Sequence, residues 1–172
     1  FSGSFAFSYA NNVTSYKGMP DYAQNVNYGI SWNHSQDSKA NPGSRFSASV
    51  NMKSSGYDKE NSYDVTDHVT TSRQSNINYS KSWAGTPISF SSSLNLNQDT
   101  RRKTMNLSLP RGSLTVSRIY PFKPKKLAGE SKWYHDITTQ YTASFENKIN
   151  TYDSLLFTSA VWKSMQTGFK HE

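Results

Sequence analysis

Apolar and polar residues alternate with a period of two along most of the chain, the pattern of strands with one apolar and one polar face. In the first run Phe1, Gly3, Phe5, Phe7 and Tyr9 share a face, with Ser2, Ser4, Ala6 and Ser8 opposite. Val26, Tyr28, Ile30 and Trp32 mark a second run, and Phe46, Ala48, Val50 and Met52 a third. Ile77, Tyr79 and Trp83 define a fourth, in which Lys81 is the exception on the apolar side. The fifth passes through Ile88, Phe90, Leu94 and Leu96, the sixth through Met105, Leu107 and Leu109, and the seventh through Leu114 and Val116. Ile137, Thr139, Tyr141, Ala143 and Phe145 form the eighth. Each run is about 8–12 residues, the length a tilted strand needs to cross a hydrocarbon layer. From Leu155 to Met165 strict alternation lapses, which predicts a short helix or loop, with a ninth strand as the alternative.

The joins between runs carry a second pattern. Those from Asn11 to Gln24, Ser55 to Gln74 and Pro121 to Lys132 are long, at about 14, 20 and 12 residues. Those around Asn41-Pro42-Gly43, Ala84-Gly85-Thr86-Pro87 and Pro110-Arg111-Gly112 are shorter, and the Gln98-to-Arg101 turn is a short join on the long side. The alternation predicts an all-β fold: an antiparallel up-and-down transmembrane β-barrel, here about eight strands, with long outer loops and short periplasmic turns. Trp32 and Trp83 then fall near periplasmic strand ends, and Tyr9, Tyr120, Phe122, Trp133 and Tyr134 near outer ends. That is an aromatic girdle at each interface, where rings with one apolar and one wet side are favoured. The competing fold is a soluble β-sandwich.

Composition narrows the choice. Only 34% of the 172 residues are hydrophobic but 14% are aromatic, too rich in rings for disorder and short of the aliphatic content of a soluble core. A barrel needs only half of each strand to be apolar. No apolar run approaches the length of a transmembrane helix. Cysteine is absent, which excludes a disulfide framework and a thiolate metal site. The net charge of +7 favours anionic partners, either nucleic acid or lipid phosphates. The chain opens at Phe1 in mid-strand and ends on Lys170-His171-Glu172, so residues 1–172 are expected to be an internal part of one barrel domain, cut at both ends.

Catalytic chemistry is hard to assemble. The four histidines, His34, His68, His135 and His171, lack metal-ligand spacing. His135-Asp136 has no nucleophile elbow to serve, and both are expected to be polar residues at the surface. Asp58, Glu60, Asp64 and Asp67 cluster in the longest join, where a solvated face is a better expectation than a divalent-cation site. No enzyme, metal or cofactor is therefore expected. The basic residues are more informative. Arg101, Arg102 and Lys103, and then Lys123, Lys125 and Lys126, fall on joins of the same parity and so on one side of the barrel. With Arg118, on the Leu114 and Val116 face, they are the candidate contacts for lipopolysaccharide phosphates. Single-stranded nucleic acid would also suit basic residues among aromatics, but the loop pattern does not favour it.

Several segments resemble the barrel of the LptD lipopolysaccharide-assembly family, in the form associated with the Bacteroidetes. They are Trp32-Asn33-His34-Ser35-Gln36-Asp37-Ser38-Lys39-Ala40-Asn41-Pro42, Phe46 to Asn51, and Ser55-Gly56-Tyr57-Asp58. Ser117-Arg118-Ile119-Tyr120-Pro121-Phe122-Lys123, a fairly specific stretch, matches too, as do Lys125-Lys126 and Trp133-Tyr134. Tyr152 to Phe157, Trp162-Lys163 and Gly168 to His171 extend it through the tail. The resemblance implies a large outer-membrane barrel plugged by an LptE-like lipoprotein, with lipopolysaccharide leaving between the first and last strands. It implies no catalytic residue. Cysteines that join barrel and periplasmic domain in some relatives have no counterpart here. The expected role is thus part of an outer-membrane translocon that passively inserts lipopolysaccharide into the outer leaflet of a Gram-negative bacterium. The alternatives are another barrel transporter or porin, and a soluble cell-surface adhesin.

Overall fold

The alternating runs fold as strands of one antiparallel sheet. A computed structural model of the chain describes residues 2–37, 39–123, 132–156 and 158–172. Its strands are β1 (Ser2–Thr14), β2 (Ala23–Ser35), β3 (Ser44–Lys53), β4 (Ser72–Ser82), β5 (Ile88–Asp99), β6 (Thr104–Ile119), β7 (Thr139–Tyr152) and β8 (Gln166–His171). Each pairs with its neighbour in sequence, in the order β1 to β8, and the sheet is not closed. Short helices sit in two connections: α1 (Tyr57–Asn61) and α2 (Val65–Val69) between β3 and β4, and α3 (Ala160–Lys163) between β7 and β8. Phe1, at the head of the first run, lies outside the described residues.

Eight strands are present, but they are not the eight the pattern delimits. The runs around Leu107 and Leu114 are one strand, β6, rather than two joined by a turn at Pro110-Arg111-Gly112. Proline has no N–H for a ladder, so a turn was the natural reading. The sheet instead takes Pro110 into a bulge. β5 pairs Asn95 with Ser108 and then Ser93 with Arg111, while β7 pairs Lys148 with Ser108 and Glu146 with Arg111. Leu109 and Pro110 are skipped on both sides, and the faces stay in phase across the gap. The tail supplies the eighth strand. Its irregular part is a 3-10 turn at Asp153–Leu155 followed by α3, as the lapse in alternation predicts, and β8 follows.

Merging two runs reverses the direction of everything after them. One end of the sheet, here the helical end, carries connections 15–22, 54–71, 100–103 and 153–165. The other, the aromatic end, carries 36–43, 83–87 and 120–138. Long and short connections occur at both, so the expected segregation of long loops to one side does not hold.

The faces do hold. One ladder crosses the whole sheet from Ser4 through Asn33, Ser49, Asn76, Asn95, Ser108 and Lys148 to Gln166, all polar. Ladders on the other face read Phe5–Trp32–Val50, Leu96–Leu107–Ile149 and Phe90–Leu114–Ala143. The strands are also staggered. Ser2, at the very start of β1, is level with Arg111 in the middle of β6, through Ser35, Ser47, Asn78 and Ser93. Burial is sparse: Met105 and Ile149 are enclosed on the apolar face towards the helical end, whereas Phe5 and Phe7 are 69% and 60% exposed.

Gly112, beside the bulge, answers to packing rather than to a turn. A Cβ there would lie 2.4 Å from Cζ and 2.5 Å from Cε1 of Phe145, its cross-strand partner, whose ring covers the glycine. Gly112→Ala should therefore force the ring aside and destabilise the sheet by about 1–3 kcal/mol. Denaturant titration of the refolded full-length protein should show a lowered midpoint, partly restored by adding Phe145→Leu. An unchanged midpoint in Gly112→Ala would show that the ring has room to move.

Candidate functional site

Three features of the sheet bear on function: a trough on the polar face, the chemistry of the aromatic end, and an anchored connection at the helical end. The trough spans β3 to β8 with a volume of about 810 Å³. Hydroxyls of Ser47, Ser80, Ser91, Ser113 and Ser144 line it because alternation puts serine on this face of successive strands. Its charges are Arg45, Arg111, Glu146 and Lys170. Glu146 pairs with Lys148 at 3.5 Å, and Lys170 pairs with Glu172. Such a surface is wet and offers donors and acceptors to a hydroxyl-rich ligand.

The aromatic residues named from the sequence are mostly gathered at one end instead of divided between two. Trp32, Trp83, Tyr120, Phe122, Trp133 and Tyr134 all lie at or near the aromatic end. Tyr9 alone is away from it, opposite Tyr28. Lysines accompany the rings. Lys81 Nζ is 5.5 Å from the Trp83 ring, Lys123 is 5.1 Å from Tyr120, and Lys132 is 5.9 Å from Tyr134. This explains Lys81, the odd residue of the fourth run: its stem lies along the apolar face and its ammonium reaches the ring beyond. Trp133 is 80% exposed and meets Tyr134 edge-on, and Tyr134 in turn meets His135 edge-on at 4.6 Å. His135, expected from the sequence to be a polar surface residue, is buried, with Nδ1 accepting from the Lys132 N–H at 3.2 Å.

The basic candidates do not come together. Arg101, Arg102 and Lys103 form the tight β5–β6 turn at the helical end, whereas Arg118 and Lys123 lie at the aromatic end. Lys125 and Lys126 lie outside the described residues. The separation follows from β6 being one strand, which flips the parity of the later connection. The Arg101–Lys103 turn has a local explanation. Asp99 Oδ1 accepts from the N–H groups of Arg101 (3.0 Å) and Arg102 (2.9 Å), and Lys103 takes a left-handed φ of 57°.

The anchoring of the helical-end connection is not legible in the sequence, although its carboxylate cluster is. Of Asp58, Glu60, Asp64 and Asp67, Asp58 is buried and Asp67 half-buried, whereas Glu60 and Asp64 are exposed as a solvated face requires; each also has a partner in the protein. Buried Asp58 accepts from Lys53 Nζ at 2.7 Å and from Arg73 Nη2 at 2.5 Å. Asp67 sits 3.4 Å from Lys53 and 3.7 Å from Arg73, and Ser62 donates to it at 2.8 Å. Glu60 accepts from Asn12 (2.8 Å), Asn25 (3.1 Å) and Asn27 (2.6 Å), pinning α1 to the polar face of β1 and β2. Asp64 caps α2 through the Thr66 N–H at 2.8 Å. Ser55 donates to Asp153, tying the connection to the one after β7.

Beneath it the sheet is parted. The β3–β4 ladder stops at Ser49–Asn76, although β3 stays paired with β2 as far as Lys53. Side chains replace the lost backbone partners. Ser75 Oγ accepts from the Asn51 N–H (2.9 Å) and donates to the Asn51 carbonyl (3.2 Å). The Gln98 amide does the same for Lys53, at 3.5 and 2.5 Å. Arg73, Ser75 and Gln98 are thus polar residues at apolar-face positions because they bridge the gap, and each is buried.

A family model described as LptD protein matches residues 1–172. No curated protein and no solved structure matches the chain.

The anchoring of 54–71 has measurable consequences. Arg73→Met removes one of the two cations on buried Asp58 and leaves it Lys53 alone, a loss of about 1–3 kcal/mol, and should open this connection to limited proteolysis in the full-length protein. Glu60→Gln, which removes only charge, should have the same effect more weakly. Acid should act as well. The Ser62 hydroxyl, followed by Lys53 and Arg73, holds the Asp67 carboxyl below the ordinary carboxylate range. Its stabilisation is therefore present above the unfolded value and lost as pH falls through the lower folded one, from about pH 4 downward. Cleavage in 54–71 should rise over that range and not between pH 8 and pH 5.

Proposed function

Because the chain belongs to the LptD protein family, we propose that its sheet is a length of outer-membrane β-barrel wall in a machine that delivers lipopolysaccharide to the outer leaflet. The family is an outer-membrane family of Gram-negative bacteria involved in lipopolysaccharide transport. The observation that carries the reading to this segment is the contrast between its faces. One face presents a wholly polar ladder from Ser4 to Gln166. The other leaves Phe5, Phe7, Val26, Tyr141 and Phe169 exposed, with no layer of the described residues over them. Exposed rows of this size call for a covering, and lipid is the covering a barrel wall has. The stagger of the strands supports closure, since a barrel forms only when register slips steadily around the sheet.

In this role the segment does no covalent chemistry. Apolar rows hold the wall in hydrocarbon, where paired strands leave no backbone group unsatisfied. The Ser- and Asn-rich face and its trough line a wet lumen, along which the saccharide part of the lipid moves while its acyl chains remain with the bilayer. An LptE-like lipoprotein occupies part of that lumen, and further strands of the parent protein continue from the free edges of β1 and β8. The connection anchored by Glu60 narrows the lumen at the helical end. Movement is passive, with its driving force supplied from outside the barrel.

Single cysteines in the reconstituted full-length protein test this. Labels at positions 5, 7, 114, 116 and 141 should be quenched by lipids brominated in their acyl chains. Labels at 4, 6, 113, 115 and 142 should respond only to a water-soluble quencher. If neither set senses the brominated lipid, the sheet is part of a soluble core and the translocon reading falls.

A further inference from the structure

We infer that the aromatic end of the sheet is built to dock on phosphate-bearing anionic lipid headgroups, while the helical end is not. The inference rests on the reading of the sheet as a membrane wall and adds which end meets the charged leaflet.

The net positive charge is unevenly placed. At the helical end, cations have carboxylates to match. Lys53 and Arg73 are held by Asp58 and Asp67, Arg102 lies 3.9 Å from Asp99, and Asp64 and Asp153 stand in the same connections as Lys59 and Lys163. At the aromatic end the described cations are Lys39, Arg45, Lys81, Arg118, Lys123 and Lys132, against Asp37 and Asp136. Lys170 and Glu172 satisfy each other there. Among the described residues none of Lys81, Lys123 and Lys132 has a carboxylate within 4.0 Å.

What these three ammonium groups have instead is an aromatic ring. A ring at the sheet edge settles at the boundary between acyl chains and headgroups, and a lysine beside it is then held at phosphate height. Phe122 and Trp133, 57% and 80% exposed, extend the same edge into solvent. An acidic protein would satisfy the charge but would leave these rings outside any apolar layer. A lipid surface satisfies both at once, which is why it is the partner inferred. Tyr152 and Trp162 are exposed near the Arg101–Lys103 turn, but among the described residues no ring lies over its cations, and the turn's geometry depends on Asp99. The helical-end lysine that does face a ring, Lys53 over Tyr57, is already bound by Asp58.

The test compares two charge reversals in the full-length protein, reconstituted in nanodiscs of phosphatidylcholine with phosphatidylglycerol. One variant is Lys81→Glu, Lys123→Glu and Lys132→Glu; the other is Arg101→Glu, Arg102→Glu and Lys103→Glu. Phosphatidylglycerol retained after a detergent wash is measured by native mass spectrometry. The first variant should lose it at least about tenfold relative to the parent, with the loss shrinking at high salt. The second should stay within about twofold. Equal losses, or a larger loss in the second, overturn the inference. Brominated-lipid quenching at position 114 separates this failure from that of the wall itself: quenching with equal losses refutes only the docking end, and absent quenching refutes both. If the first variant does not fold, the three Lys→Gln changes replace it and should give an intermediate loss.

Discussion

A proline in the middle of the longest strand sets the course of the second half of this sheet. Pro110 can give no hydrogen bond to a neighbouring strand, so a flat ladder through it would leave a carbonyl without its donor. The bulge at Leu109 and Pro110 steps the register on both sides at once, against β5 and against β7, and regains pairing at Arg111. Gly112 follows directly and makes room for the Phe145 ring, which covers the gap on the apolar face. Because β6 therefore continues instead of turning, the basic and aromatic connection after it emerges beside Trp83 rather than beside Arg101. The gathering at one end of rings and of lysines that, among the described residues, have no carboxylate within 4.0 Å follows from that local accommodation.

The opposite end solves another problem. A connection rich in carboxylates must cross a sheet whose β3–β4 seam is open, and unpaired backbone groups there would be costly. Side chains take over the work of a strand: Ser75 and Gln98 each give one donor and one acceptor to a residue of β3. Arg73 then draws Asp58 and Asp67 down onto the seam, and Glu60 gathers the asparagines of β1 and β2. Charge is used here to hold chain to chain. At the aromatic end it is left available.

These differences suit a wall between two media. In the proposed wall, the apolar face with its large exposed rings would meet hydrocarbon and the polar face with its hydroxyl-lined trough would meet water. A charged, ring-edged rim belongs where headgroups begin. Lipopolysaccharide combines acyl chains, phosphates and saccharide, and the three surfaces of this segment differ in the same three respects.

The sequence by itself determined most of the strands and the faces they present, since a period of two depends only on neighbouring residues and survives any tertiary arrangement. The irregular tail between Leu155 and Met165 was legible for the same reason, as was the family, from segments such as Ser117 to Lys123. The end of the sheet to which a residue belongs was not legible. That depends on counting every reversal of direction before it, and the one ambiguous reversal, at Pro110, is resolved only by partners in β5 and β7. Nor could the sequence show that Asp58 meets Arg73, or that Gln98 serves Lys53. Those contacts join residues far apart along the chain, and only the parting of β3 from β4 brings them within hydrogen-bonding reach.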